Sequence, residues 1–174
     1  ANKTKNKQIE DPDRTLIMLW VGGNDYVAKF DTKDDMTTLI NEPEALKKGG
    51  KWVARFSVRN ILDQLRVLYI AGGRHFLVGN LPNMGTIPAI SENKTYVAPH
   101  LSDMERTYHL SAKMTEISQY HNQVLKKGLE DLQNELPDAN FILFDAYNAL
   151  QNIIAGIGPD GQENFAWKLD TEKS

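Results

Sequence analysis

The stretch that decides the fold is Thr15-Leu16-Ile17-Met18-Leu19-Trp20-Val21, followed directly by Gly22-Gly23-Asn24-Asp25. The first of these segments is a continuous apolar run, without the alternation of apolar and polar residues that is typical of a half-exposed strand. A short run of this kind is typical of a strand buried on both faces, as in a parallel sheet. The glycines and the Asn and Asp that follow are strong turn formers, so the strand is predicted to end at residue 21.

The rest of the chain alternates helices and strands. The predicted elements are a surface excursion at 31–51, an amphipathic helix from residue 57 to the stop at Gly72-Gly73, a strand at 75–78, a long loop at 83–100, a helix over 103–136, a strand at 141–144 and a short helix from 147 to about 155. Ser102 and Glu105 fit a capping box at the start of the longest helix. The order β-α-β-α-β-α predicts an α/β fold, a three-layer αβα sandwich around a parallel sheet.

Composition excludes several classes of function. The 174 residues carry 20 Lys+Arg and 23 Asp+Glu, a formal net charge of -3. Because the chain lacks the basic excess of nucleic-acid-binding proteins, that function is disfavoured. No apolar run approaches the roughly 20 residues of a membrane-spanning helix. The chain has no cysteine, which excludes disulfides, thiol catalysis and cysteine-ligated metals. No metal or organic cofactor is implied. Residues 1–14 are polar and are predicted to be a flexible leader.

Polar turns follow all three predicted strands, at the edge where parallel α/β sheets bind ligands. The first turn is the most informative, because Gly22 and Gly23 let the backbone approach a ligand closely. Asn24 adds a neutral NH₂ donor, which is what a developing oxyanion requires. The alternative is that this segment is an ordinary turn, with Asp25 capping the next helix.

Four segments together carry a family resemblance: Gly-x-Asn-Asp within 16–26, Asn-Leu-Pro within 76–85, His-Asn-x-x-Leu within 120–125, and Asp-x-Tyr within 144–147. In order and spacing, they resemble the GDSL (SGNH) family of lipases and acyl hydrolases. The match is closest to the bacterial branch of phospholipases, lysophospholipases, thermolabile haemolysins and acyltransferases. The family has a flavodoxin-like parallel sheet, which agrees with the predicted fold.

The resemblance implies roles for individual residues. Asn24 would be the oxyanion-hole side chain, Gly22 and Gly23 would shape its turn, and Asp25 would hold that turn. The adjoining oxyanion-turn and substrate-binding positions would be Tyr26, Leu81 and Pro82. The implied reaction is serine-dependent hydrolysis of lipid carboxylic esters, with phospholipid or lysophospholipid as substrate. The same acyl-enzyme allows acyl transfer, and the resemblance implies a secreted or periplasmic bacterial protein.

The chain departs from the family in its nucleophile and its base. It contains no Gly-Asp-Ser, and no Asp is followed three residues later by His. Its histidines, which are predicted to be packed or surface residues rather than metal ligands, are His75, His100, His109 and His121. We therefore expect residues 15–174 to be the central part of one SGNH-hydrolase domain, without its first strand and its C-terminal catalytic segment.

The expected partner is a companion polypeptide, or further segments, carrying the Ser and the Asp-His pair. This chain alone would then be inactive. One alternative is a non-catalytic binding module that keeps the fold without the triad. Another is a flavodoxin-like nucleotide or phosphate binder, which is the weakest interpretation because no Gly-x-Gly-x-x-Gly or P-loop motif is present.

Overall fold

The computed structural model of the chain describes residues 9–27, 43–88, 103–157 and 162. The helices and strands are β1 (Leu16–Leu19), α1 (Asn24–Val27), α2 (Pro43–Ile70), β2 (His75–Gly79), α3 (Asp103–Glu135), β3 (Asn140–Phe144) and α4 (Ala146–Ala155), with 3-10 turns at Pro12–Arg14 and Met84–Thr86. Within these ranges no helix combines the length and the apolar character needed to cross a bilayer.

The described strands form a three-stranded parallel sheet in the order β1-β2-β3. Leu19 pairs with Val78, and Val78 pairs with Leu143, so the three strands end together at one edge. This arrangement confirms the predicted α/β class and parallel sheet. It also brings the three polar turns of the sequence to a single edge.

Helices α2 and α3 cover one face of the sheet and pack on each other. Their apolar stripes meet the inward side chains of all three strands, and Phe76 stacks on Phe141 with ring centroids 5.0 Å apart. The buried members of this core are Val58, Ile61, Leu65, Phe76, Val78, Leu125, Leu129, Leu132 and Ala139. Both helices lie on the same face because two right-handed crossovers that step along the sheet in one direction place their helices on the same side.

The prediction that β1 is buried on both faces was wrong. Leu16 and Met18 are 57% and 56% exposed, and Ile142 is 46% exposed on the same side of the sheet. The run lacks polar alternation, yet its burial alternates, because both crossover helices cover the other face. The described residues thus supply the sheet and one helical layer of the predicted three-layer sandwich.

Helix α2 begins at Pro43, not at residue 57, so the predicted surface excursion was wrong over residues 43–51. Proline is well tolerated at the start of a helix. The two glycines at 49–50 cost roughly 1 kcal/mol each relative to alanine, and the packing of Val53 and Ala54 on the core opposes that cost.

The other predicted helices and strands agree with the structure to within a few residues, whereas residues 31–42 of the predicted excursion and residues 89–100 of the predicted loop lie outside the described residues. Helix α3 is unbroken from Asp103 to Glu135, and Ser102 of the predicted capping box lies outside the described residues. Within the predicted leader, residues 12–14 form a 3-10 turn, and the Ile9 amide donates to the Ala71 carbonyl over 2.9 Å.

Candidate active site

The turn after β1 depends on a glycine. Gly22 has φ +109°, a left-handed conformation that residues with a Cβ rarely adopt. The Asp25 amide donates to the Gly22 carbonyl over 3.2 Å, and the Tyr26 amide donates to the Gly23 carbonyl over 3.1 Å. These bonds turn the chain directly from β1 into α1 and place Asn24 at the first position of that helix.

Asn24 is one of the residues that line an open pocket at the ends of β1 and β2. The pocket has a volume of about 340 Å³ and is lined by Trp20, Val21, Gly22, Gly23, Asn24, Leu81, Pro82 and Met84. Five of the residues singled out from the sequence thus come together, although residues 20–24 and residues 81–84 are far apart in the chain. Asn24 is exposed, and among the described residues none forms a hydrogen bond with its carboxamide, whose NH₂ group is a donor.

The pocket wall after β2 is fixed to α3 by side-chain hydrogen bonds. Asn122 donates to the Leu81 carbonyl and accepts from the Leu81 amide, each over 2.9 Å. Ser118 accepts from the Met84 amide over 3.1 Å, and Thr115 donates to Asn83 Oδ1 over 2.8 Å. Because the backbone around Leu81 and Pro82 is held in this way, this side of the pocket is rigid.

Asp145, at the end of β3, has a structural role at this edge. Asn80 Nδ2 donates to its carboxylate over 2.9 Å. Asp145 is also the N-terminal cap of α4, and its carboxylate accepts from the Asn148 amide over 3.2 Å. Burial alone would raise the pKa of Asp145, but the hydrogen bonds from Asn80 and Asn148 outweigh it and lower that pKa. The carboxylate therefore stays ionised and joins two strand ends.

Tyr26 and Asp25 lie outside the pocket lining. Tyr26 is only 2% exposed, and its hydroxyl lies 2.7 Å from His121 Nδ1. Asp25 is exposed at the second position of α1, so it does not cap that helix as the ordinary-turn alternative required. Its amide, rather than its carboxylate, forms the hydrogen bond that closes the turn.

The sequence did not reveal that His121 and Ser57 both pack next to Gly22 in the glycine turn. Both are buried, at 0% and 1% exposure. A Cβ placed on Gly22 would lie 3.1 Å from Ser57 Oγ and 3.5 Å from His121 Cε1. Burial lowers the pKa of His121 to about 4, despite the opposing effect of the Asp25 charge, so the imidazole is neutral near pH 7.

The burial of Ser57 and His121 decides whether their side chains are reactive groups or packed structural residues. A nucleophile or a general base must reach the substrate, and neither side chain has access to the pocket. The prediction that His121 is a packed or surface histidine is therefore confirmed, and the structure shows that it is packed. The only available signal was its position on the apolar stripe of α3, which indicates burial but not its neighbours.

The fold and the pocket define an α/β protein with a polar site at the carboxyl edge of a parallel sheet, where a glycine turn presents one amide side chain. The profile of the family described as GDSL-like Lipase/Acylhydrolase matches residues 1–165. The chain belongs to this family.

Curated relatives include three from Arabidopsis thaliana. One GDSL esterase/lipase is 27% identical over 146 residues, which cover 82% of this chain and 32% of the relative. A second is 25% identical over 159 residues, covering 85% of this chain and 37% of the relative. A protein named an inactive GDSL esterase/lipase-like protein is 21% identical over 152 residues, which cover 87% of this chain and 32% of the relative.

The chain thus spans about a third of the length of these relatives. They are plant proteins, so they support the family but do not single out the bacterial phospholipase branch that the motifs favoured.

Proposed function

We propose that this chain contributes the oxyanion-binding part of a serine esterase that hydrolyses lipid carboxylic esters. The observation that carries the proposal is the position of Asn24, an exposed residue that lines the pocket and whose carboxamide has no hydrogen-bond partner among the described residues. A neutral donor on a rigid turn stabilises negative charge that develops on a carbonyl oxygen, and it needs no reorganisation during the reaction.

In the proposed mechanism, a serine attacks the acyl carbonyl while a histidine takes its proton, and the electron pair of the carbonyl moves to oxygen. Asn24 donates to that oxyanion, and the histidine then protonates the departing alcohol. Water repeats the sequence on the acyl-enzyme and releases the acid. The chain has neither Gly-Asp-Ser nor Asp-x-x-His, so the proposal assigns the nucleophile and the base to a companion polypeptide or to the part of its relatives' length that it does not span.

For the substrate, we propose a phospholipid or lysophospholipid acyl ester. The pocket lining supports an acyl chain, since Trp20 and Val21, which are 51% and 48% exposed, supply apolar surface beside the single amide, while Leu81 and Met84 are nearly buried in the wall. Transfer of the acyl group to an alcohol other than water would use the same acyl-enzyme. A secreted or periplasmic location is part of the proposal and rests on the resemblance alone.

A serine-directed fluorophosphonate tests the proposal when it is applied to the native preparation, with intact masses of every polypeptide taken under denaturing conditions. We expect label on a longer chain that contains this sequence, or on a second polypeptide that co-purifies with it. A heat-denatured sample controls for non-specific labelling. A single unlabelled species near 19.7 kDa would contradict the enzyme proposal.

The second candidate function is a binding module that retains the fold without catalysis. The family relative named as inactive favours it. The two candidates differ in one measurable property, because a binding module would hold a lipid ester in the pocket without forming a covalent adduct with the fluorophosphonate. Retention of an intact ester by an unlabelled native preparation would support the binding module.

A further inference from the structure

We propose that Tyr26 and His121, together with Ser57, are positioning residues that fix the orientation of the Asn24 turn. The inference rests on the proposed role of Asn24, and it assigns a function to the buried residues next to the Asn24 turn. Tyr26 is two residues beyond Asn24 in the short helix α1, and its hydroxyl lies 2.7 Å from Nδ1 of His121 on α3. This hydrogen bond therefore ties the helix that carries Asn24 to the longest helix of the structure.

The turn is also supported from α2. Ser57 Oγ and the His121 ring both come within 3.5 Å of the position that a Cβ on Gly22 would occupy. The backbone of Gly22 thus lies against one residue from each of the two helices that cover the sheet. Since α2 and α3 pack together through the main core, the turn is supported by two helices that are themselves held against each other.

The polarity of these contacts argues against simple packing. Ser57 Oγ and His121 Nε2 are buried without a hydrogen-bond partner in the described part of the chain. Each such group costs about 1–3 kcal/mol, and apolar side chains of similar size would avoid that cost. Buried polar groups without a partner need an explanation, and here both of them adjoin the pocket turn.

The geometry also distinguishes the two ring nitrogens of His121. Only Nδ1 is bonded to Tyr26, so an asparagine, whose side-chain polar atoms lie nearer the Nδ1 position, can replace that contact. A leucine of similar size removes it. We therefore expect His121→Asn to keep most of the wild-type kcat, and His121→Leu to lose as much of it as Tyr26→Phe.

The test compares Tyr26→Phe with Tyr69→Phe in the native protein. Tyr69 also forms a 2.7 Å hydrogen bond through its hydroxyl, to Asp138 at the opposite end of the sheet. We expect Tyr26→Phe to lower kcat for ester hydrolysis roughly 10-fold with an unchanged KM. Hydrogen exchange at the Asp25 and Tyr26 amides should accelerate at least about 10-fold. Tyr69→Phe should change neither quantity.

Asn24→Ala separates this inference from the proposed function. If Asn24→Ala lowers kcat while Tyr26→Phe leaves kcat or amide exchange at the control level, the positioning inference is overturned and the role of Asn24 stands. If Asn24→Ala leaves kcat unchanged, the proposed function fails. In that case, amide exchange alone decides whether Tyr26 and His121 hold the turn, and unchanged exchange overturns the inference as well.

Discussion

Asn80 and Asp145 join the ends of two neighbouring strands, with Asn80 Nδ2 donating to Asp145 Oδ1 over 2.9 Å. The same Asn80 side chain accepts from the Tyr147 amide over 2.9 Å, so it satisfies groups on both sides of the β3–α4 junction. Asn80 is only 6% exposed. The sheet edge that carries the pocket is therefore held together by one buried amide and one carboxylate.

Removal of this amide should destabilise the protein. We expect Asn80→Ala to lower the free energy of unfolding by about 1–3 kcal/mol, because it leaves the Asp145 carboxylate and the Tyr147 amide short of a partner. Urea denaturation measures the change. Asn134→Ala, at an exposed position on α3, is the control and should change stability by less than about 0.5 kcal/mol. Equal effects of the two substitutions would contradict this account of Asn80.

Gly22 and Gly23 form a matched pair for the turn. Gly22→Ala should cost about 1–3 kcal/mol, since it forces a side chain into a left-handed conformation at φ +109° and against Ser57. Gly23 has neither a left-handed φ nor any atom within 4 Å of an added Cβ, so Gly23→Ala should be tolerated. Thermal denaturation of both variants tests the difference. A Gly22→Ala variant as stable as Gly23→Ala would show that the turn has another conformation.

The pH dependence of stability should report on His121. Its pKa is about 4 in the folded protein, against an ordinary value of 6.5, because burial disfavours the charged ring next to Tyr26 and Ser57 while Asp25 opposes the shift only weakly. The unfolded state then binds more protons between these values, so stability is fully present above pH 6.5 and falls as the pH drops toward 4. The loss attributable to this group is roughly 3 kcal/mol.

Urea denaturation at pH 7.5 and pH 4.5 measures this loss. His121→Asn should remove most of the fall in stability, because the variant has no imidazole to protonate in either state. His75→Asn, on the half-buried first residue of β2, should retain the fall. Parallel behaviour of the wild type and His121→Asn across this pH range would contradict a buried neutral imidazole.

Much of the fold could be predicted because it depends on local patterns. The apolar stripes and the turn residues determined the type and order of the elements, and Pro137 marked the end of α3 to within two residues. Exposure of one sheet face could not be predicted from the run at 15–21. It follows from the strand order and from the side on which both helices pack, which are tertiary properties.

The candidate site divides in the same way. The glycine turn beside Asn24 was predictable because its turn residues are adjacent in the sequence, and the oxyanion role of Asn24 stays a prediction. The partnership of Tyr26 with His121 was not predictable, since 95 residues separate the two side chains. Residue type alone could not distinguish a tyrosine that touches a substrate from one that supports the turn from behind.

The most direct test of the central claim is kcat for ester hydrolysis by the native protein carrying Asn24→Ala, measured with a soluble acyl ester. Loss of one oxyanion donor should lower kcat about 100–1000-fold and leave KM within about twofold. Asn134→Ala is the surface control and should match the wild type. A kcat within about threefold of the wild type for Asn24→Ala would contradict the assignment of Asn24 to the oxyanion hole.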